Sequence, residues 1–292
     1  MRIILILFLL IPFVAWSDDK EMTLRAKMQQ LYELRMVTIN APNDEKRIAA
    51  DKEFTKFLKD ALGDQNSYNV NFDTIPQLGD LRSGDDYFRM INWNVPLDNQ
   101  TQQYRCFIQY LNKKTKEYEV IELKKGYSSI EGETRKIFNE RNWYGALYYD
   151  IIPSKTRRSG RKRTYMLLGW DGHDEYSSIK FVDVLVMTKN RLSFGADIFD
   201  MEDKGAKRFI IEYKSDAQVS LKYDERKTMI VFNQLVPMQP DLEGQYEFYV
   251  PITEFDALQW KKRKWTYVHD VYLKGRGNGK IYNDPPSAQN LK

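Results

Sequence analysis

Cysteine and histidine are nearly missing from this chain. Cys106 is the only cysteine and His173 and His269 are the only histidines. One thiol excludes an intrachain disulfide and any multi-cysteine metal site. Two imidazoles exclude the three-histidine set of a zinc enzyme, although two with a carboxylate stay arithmetically possible. Cys106 lies inside the apolar stretch Arg105-Cys106-Phe107-Ile108, poor surroundings for a nucleophilic thiolate. HExxH, GxSxG and GxxxxGK[ST] do not occur. No cofactor is expected. Charge of one sign is also lacking: the net value is +4, which is not the footprint of a nucleic-acid binder. Beyond the first residues no apolar run approaches the roughly 20 residues that cross a bilayer, so no transmembrane span is expected in the mature chain.

What is present begins with a leader pattern. Arg2 supplies a charged start, Ile3 to Ile11 an apolar core and Ala15-Trp16-Ser17 a small-x-small cleavage site, so residues 1–17 read as a signal peptide. The expected destination is outside the cytoplasm, periplasmic or secreted. Removing the leader takes away only Arg2 among charges and leaves +3. Aromatic residues make up 14% of the chain, with 19 tyrosines, a bias that suits pleated, half-buried surfaces.

Residues 18–64 carry helical spacing. Leu24, Met28 and Leu31 form one stripe; Phe54, Phe57, Leu58, Ala61 and Leu62 form another. Ala41-Pro42-Asn43-Asp44 breaks them apart, and Asn43 is placed to cap the second helix. Such stripes pack on a parent domain more often than on a partner.

From residue 78 to 273 the pattern is strands and turns. The densest part is 164–188, where Tyr165–Trp170 and Phe181–Met187 read as paired antiparallel strands joined through Asp171–Ser177. Further strands are expected at 78–81, 87–95, 104–111, 118–123, 144–152, 207–213, 219–223, 229–232, 246–250, 255–260 and 265–268, with a short helix over 131–140 capped by Ser129. Short links between neighbours require antiparallel pairing. Several strands are apolar on both faces and must be covered on both. The expected fold is therefore mainly β: an antiparallel meander of about a dozen strands forming a sandwich or partly open barrel, with an N-terminal helix pair. A small or incomplete propeller-like stack is the alternative. Residues 274–292, rich in glycine and proline, read as a disordered tail.

Three places are candidates for chemistry. Trp170, Asp171, His173, Asp174 and Glu175 form an acidic loop that suits a divalent cation or an acid–base pair, or simply a wet hairpin turn. It matches no EF-hand spacing. His269, in Val268-His269-Asp270-Val271, reads as a hydrogen-bonded strand-end residue. Two basic runs complete the set. One runs from Lys155 to Arg163 and includes Arg157, Arg158, Arg161, Lys162 and Arg163; the other is Lys261, Lys262, Arg263 and Lys264. Both belong at hairpin tips, solvated or touching an anionic partner.

Phe88-Arg89-Met90-Ile91-Asn92-Trp93-Asn94-Val95-Pro96-Leu97, Trp143-Tyr144-Gly145-Ala146-Leu147-Tyr148-Tyr149, Leu167-Leu168-Gly169-Trp170-Asp171-Gly172 and Met229-Ile230-Val231-Phe232 resemble a family of exported proteins of unknown function from the Bacteroidota. That resemblance spans most of residues 80–268, and implies a Gram-negative envelope location and no particular activity. The resulting expectation is an exported, non-enzymatic β-scaffold that engages an envelope protein or glycan. A glycan binder should set several tyrosines or tryptophans along one groove; a protein binder should show an apolar patch or an open sheet edge. The competing expectation is a metal-assisted hydrolase built on Asp171, His173 and Asp174.

Overall fold

A computed structural model describes residues 24–112, 114–126, 133–153, 162–188 and 191–272. The leader, the tail, Ser129, Arg157, Arg158 and Arg161 lie outside the described residues.

Two helices come first, α1 (Leu24–Asn40) and α2 (Asp44–Gly63). Asn43 caps α2 as its sequence position predicts, its side chain accepting from the Lys46 amide at 3.0 Å, with Asp44 and Glu45 facing the positive end of the helix dipole. The first sheet follows in simple order: β1 (Gly79–Arg82), β2 (Phe88–Pro96), β3 (Gln102–Asn112) and β4 (Glu117–Leu123). The second sheet takes β5 (Phe138–Asn139), β6 (Leu147–Pro153), β7 (Arg163–Asp171), β8 (Ser177–Met187) and β9 (Leu192–Phe194). The chain then gives β10 (Phe199–Asp200) to the third sheet and returns with β11 (Phe209–Lys214) to pair with β8. Completing the third sheet are β12 (Leu221–Asp224), β13 (Met229–Pro237), β14 (Tyr249–Lys261) and β15 (Lys264–Val268), in the order β10-β15-β14-β13-β12. Neighbours pair antiparallel except for the two-residue β10–β15 contact, which is parallel between segments far apart in sequence.

Side-chain alternation turns these sheets into layers. On β2, Ile91 and Trp93 face the helices, meeting Leu31, Phe54, Leu58 and Leu62. The intervening Phe88 and Met90 face Tyr165, Leu167, Phe181 and Leu185 of the second sheet. The opposite face of that sheet, with Met166, Leu168, Val182 and Val184, packs on Ile230, Phe232, Leu258 and Trp265 of the third. The fold is mainly β, with helices on one side and stacked antiparallel sheets behind them, and the described residues form no closed barrel. There is one sheet more than a simple sandwich. The two-faced apolarity of β7 and β8 requires it, because each fully buried Leu, Val or Phe contributes about 1.5–3 kcal/mol only if both faces are covered.

Buried polar groups pin the layers together. Asp51 of α2 accepts from the Trp93 indole at 2.7 Å and pairs with Arg105 at 3.0 Å. Arg89 is fully buried, donates to the Ser67 and Val70 carbonyls and pairs with Asp80; burial lowers its pKa to about 10 despite that carboxylate.

Four local expectations are corrected. The helix expected over 131–140 is, among described residues, a single 3-10 turn at Glu133–Arg135 followed by β5, because Phe138 is drawn into the core beside Tyr144. The strand expected to start at Tyr144 starts at Leu147, after a turn in which Gly145 takes φ +88°. Tyr246–Phe248 form a 3-10 turn rather than a strand. The two strands expected on either side of residue 252 are one, β14, bent by a bulge that accommodates Pro251.

Candidate functional site

That bulge helps to build a broad concave surface. Between Asn233 and Leu235 the β13–β14 register slips: Asn233 opposes Phe255 while Leu235 opposes Pro251. Residues 252–254 are thereby pushed out, and Asn233 braces them by donating its amide to the Ile252 carbonyl at 3.0 Å. A bulge re-aims the side chains beside it, and here Gln234 swings toward β14. Its Nε2 donates to Asp256 and to Asp270, each at 2.8 Å.

Asp256 is the hub. Only 4% exposed, it also accepts from the Tyr267 hydroxyl at 2.5 Å and from the Asp270 amide at 3.0 Å. Burial, then the hydrogen bond to Asp256, pushes the Tyr267 hydroxyl well above its usual pKa, so it stays protonated and fixed. His269 lies on this assembly, Nδ1 3.6 Å from Asp256 and its ring 4.7 Å from that of Tyr267, yet its side chain is 73% exposed. The strand-end histidine expected to be structural thus stands at the rim of a cavity.

The cavity measures about 890 Å³ and is lined by Phe209, Glu212, Phe232, Asn233, Gln234, Tyr246, Tyr249, Asp256, Tyr267, His269 and Asp270. Tyr249 opens β14, and Tyr246 comes from the segment joining β13 to β14. Pro240 starts a 3-10 turn there and Gly244, at φ +84°, turns the chain back. Their rings stand 5.1 Å apart, and the Tyr249 hydroxyl accepts from the Gly244 amide at 3.0 Å. A second cavity of about 350 Å³ adjoins, sharing Thr134, Phe209, Ile210, Tyr267 and His269 with the first.

The acidic loop around residue 171 is taken apart by the fold. Asp171 is not in a wet loop: it ends β7, 6% exposed, accepting from the Tyr104 hydroxyl at 2.8 Å and from the Tyr144 hydroxyl. Tyr104 in turn accepts from the Gly172 amide at 2.8 Å. Burial, then the Asp171 charge, raises both tyrosine pKa values far above normal. Asp174 caps the turn, accepting from the Tyr176 and Ser177 amides at 2.8 Å each. His173 Nε2 is 3.7 Å from Asp174, and Glu175 is exposed. Trp170 is half-buried. Among the described residues no group of three or more His, Cys, Asp or Glu is arranged to hold a metal ion.

The basic tips differ from one another. Arg163 is pinned by Asp85 at 2.5 Å and stacks over Tyr87 at 4.0 Å, so it belongs to the scaffold rather than to a free cationic tip; Lys162 is exposed. Lys261, Lys262 and Arg263 are exposed at the β14–β15 turn, and Lys264 lies 3.7 Å from Asp197. Cys106 is buried, its thiol pKa pushed up by burial. No helix among the described residues is long and apolar enough to cross a membrane.

Comparison with known proteins returned no matching family model, no curated protein and no solved structure.

Proposed function

We propose that this protein is an exported, non-enzymatic β-scaffold that binds a glycan of the cell envelope in the groove beside β13–β15. One observation carries the reading: Tyr246, Tyr249 and Tyr267 line a single cavity together with Asn233, Gln234, Asp256 and Asp270. Sugar rings present apolar C–H faces and a fringe of hydroxyls. Tyrosines meet the faces with large, rigid, amphipathic rings, and side-chain amides and carboxylates meet the hydroxyls. The polar groups are held in place before any ligand arrives, which limits the ordering cost of binding. The signal-like first seventeen residues support export.

A glycan array of envelope polysaccharides, probed with the wild type and with a Tyr246→Ala/Tyr249→Ala double variant, tests it. Binding by the wild type that falls tenfold or more in the variant supports the proposal. Retention of binding by a folded variant places the site elsewhere, and an array with no bound glycan overturns the reading.

A further inference from the structure

We infer that the glycan this groove takes is a chain carrying free amino groups, read over at least two successive sugar rings. The inference rests on the glycan reading above and adds the charge and length of the ligand.

Charge comes from the lining. The larger cavity brings Glu212, Asp256 and Asp270 to its walls, and the smaller adds Glu202 and Asp203. Among the described residues Arg208 is the only lysine or arginine lining either cavity, and it is fully buried, donating to the Lys136 and Phe194 carbonyls. Asp203 is offset by Arg135 at 2.6 Å. Asp270 and Glu202 are exposed, and Asp270 meets the Gln234 amide rather than a cation. Among the described residues, the exposed lysines and arginines of a chain of net charge +4 thus do not line this surface. Walls of one sign concentrate ligands of the other and repel their own. Uronate-bearing or phosphorylated glycans are disfavoured, neutral ones gain nothing from the field, and ammonium groups gain.

Length comes from the partition. Tyr267 and His269 belong to both cavities and stand between them as a pair of rings. Each compartment alone is of a size that holds a small ligand. A chain lying across the pair fills both, with Tyr246 and Tyr249 under one ring and the Tyr267–His269 pair under the junction.

Calorimetric titration of the mature protein at about pH 5.5, where carboxylates are still ionised and the amino groups of a glucosamine chain are protonated, tests this. The probes are a β-1,4-linked glucosamine tetramer and dimer, the N-acetylated tetramer, a β-1,4-glucose tetramer, a glucuronate tetramer and tetralysine. The expected result is about fivefold tighter binding of the glucosamine tetramer than of either neutral tetramer, with no uronate binding. The dimer should be at least tenfold weaker than the tetramer. The amino preference should disappear in about 0.5 M salt, which shrinks the Debye length, and in a Glu202→Gln/Asp270→Asn variant whose unchanged melting temperature shows it folded. Equal affinity for the glucosamine tetramer and the two neutral tetramers overturns the charge inference and leaves the glycan reading standing. Tetralysine binding as tightly as the amino sugar makes the groove a basic-peptide site and overturns it too. No carbohydrate binding overturns both.

Discussion

The side-chain amide of Gln234 donates to Asp256 at 2.8 Å, and the same nitrogen reaches Asp270 at the same distance. One amide opposite the bulge therefore holds two carboxylates from different segments in one wall. Replacing Gln234 by alanine should weaken glycan binding about tenfold while costing about 1–2 kcal/mol of stability, because Asp256 keeps its Tyr267 and Asp270 donors. Binding isotherms and urea melts read the two effects separately; a stability loss with no change in affinity would contradict the role given to this amide.

Asp171 should behave as a structural acid. Alanine in its place leaves the Tyr104 and Tyr144 hydroxyls without their buried acceptor, costing about 2–5 kcal/mol, with asparagine costing less. Glycan affinity of the folded Asp171→Asn variant should equal that of the wild type. Loss of a bound divalent ion from this variant, measured by metal analysis, would restore the metal-site reading of the loop.

Lys180 predicts a pH signature. Burial, then the nearby charge of Lys222, lowers its pKa from 10.5 to about 8. Between those values the unfolded chain holds a proton that the folded one does not, so stability rises with pH across that window. Below about pH 8 the penalty of the buried charge is fully present. Lys180→Met should therefore stabilise the protein by about 1–3 kcal/mol at pH 7, with the gain fading as pH approaches 10.5. Melting curves at pH 7 and pH 10 check this, and an identical gain at both pH values would contradict it.

The β14–β15 turn stores backbone strain. Lys262 and Arg263 both take left-handed conformations, φ 47° and 69°, where two-residue hairpins favour Asn-Gly. Lys262→Asn/Arg263→Gly should raise stability by about 1–2 kcal/mol. A melting temperature equal to that of the wild type would mean that the strain is relieved elsewhere.

The stacking of the fold was legible in the chain, because Tyr165–Trp170 and Phe181–Met187 are apolar on both faces and such strands need two covers. The capped α2 was legible through Asn43. Strands β9 and β10 were not, being three and two residues long and set by pairing with distant partners. The groove was largely invisible. Its residues come from β11, from β13 and from 246–270, share no motif spacing, and are brought together by a register slip that alternation alone does not reveal. His269 was its one sequence signal. The acidic loop misled because Asp171, beside a glycine in a polar run, reads as solvated, whereas its partners Tyr104 and Tyr144 lie far off in the chain.

With only two histidines in the chain, the imidazole NMR spectrum tests the central claim most directly. His269 lines the groove and His173 sits in the β7–β8 turn. Adding the glucosamine or the glucose tetramer should move the His269 resonances and leave those of His173 in place, assigned with a His173→Gln variant. A shift confined to His173, or no shift at saturating sugar, would contradict the account.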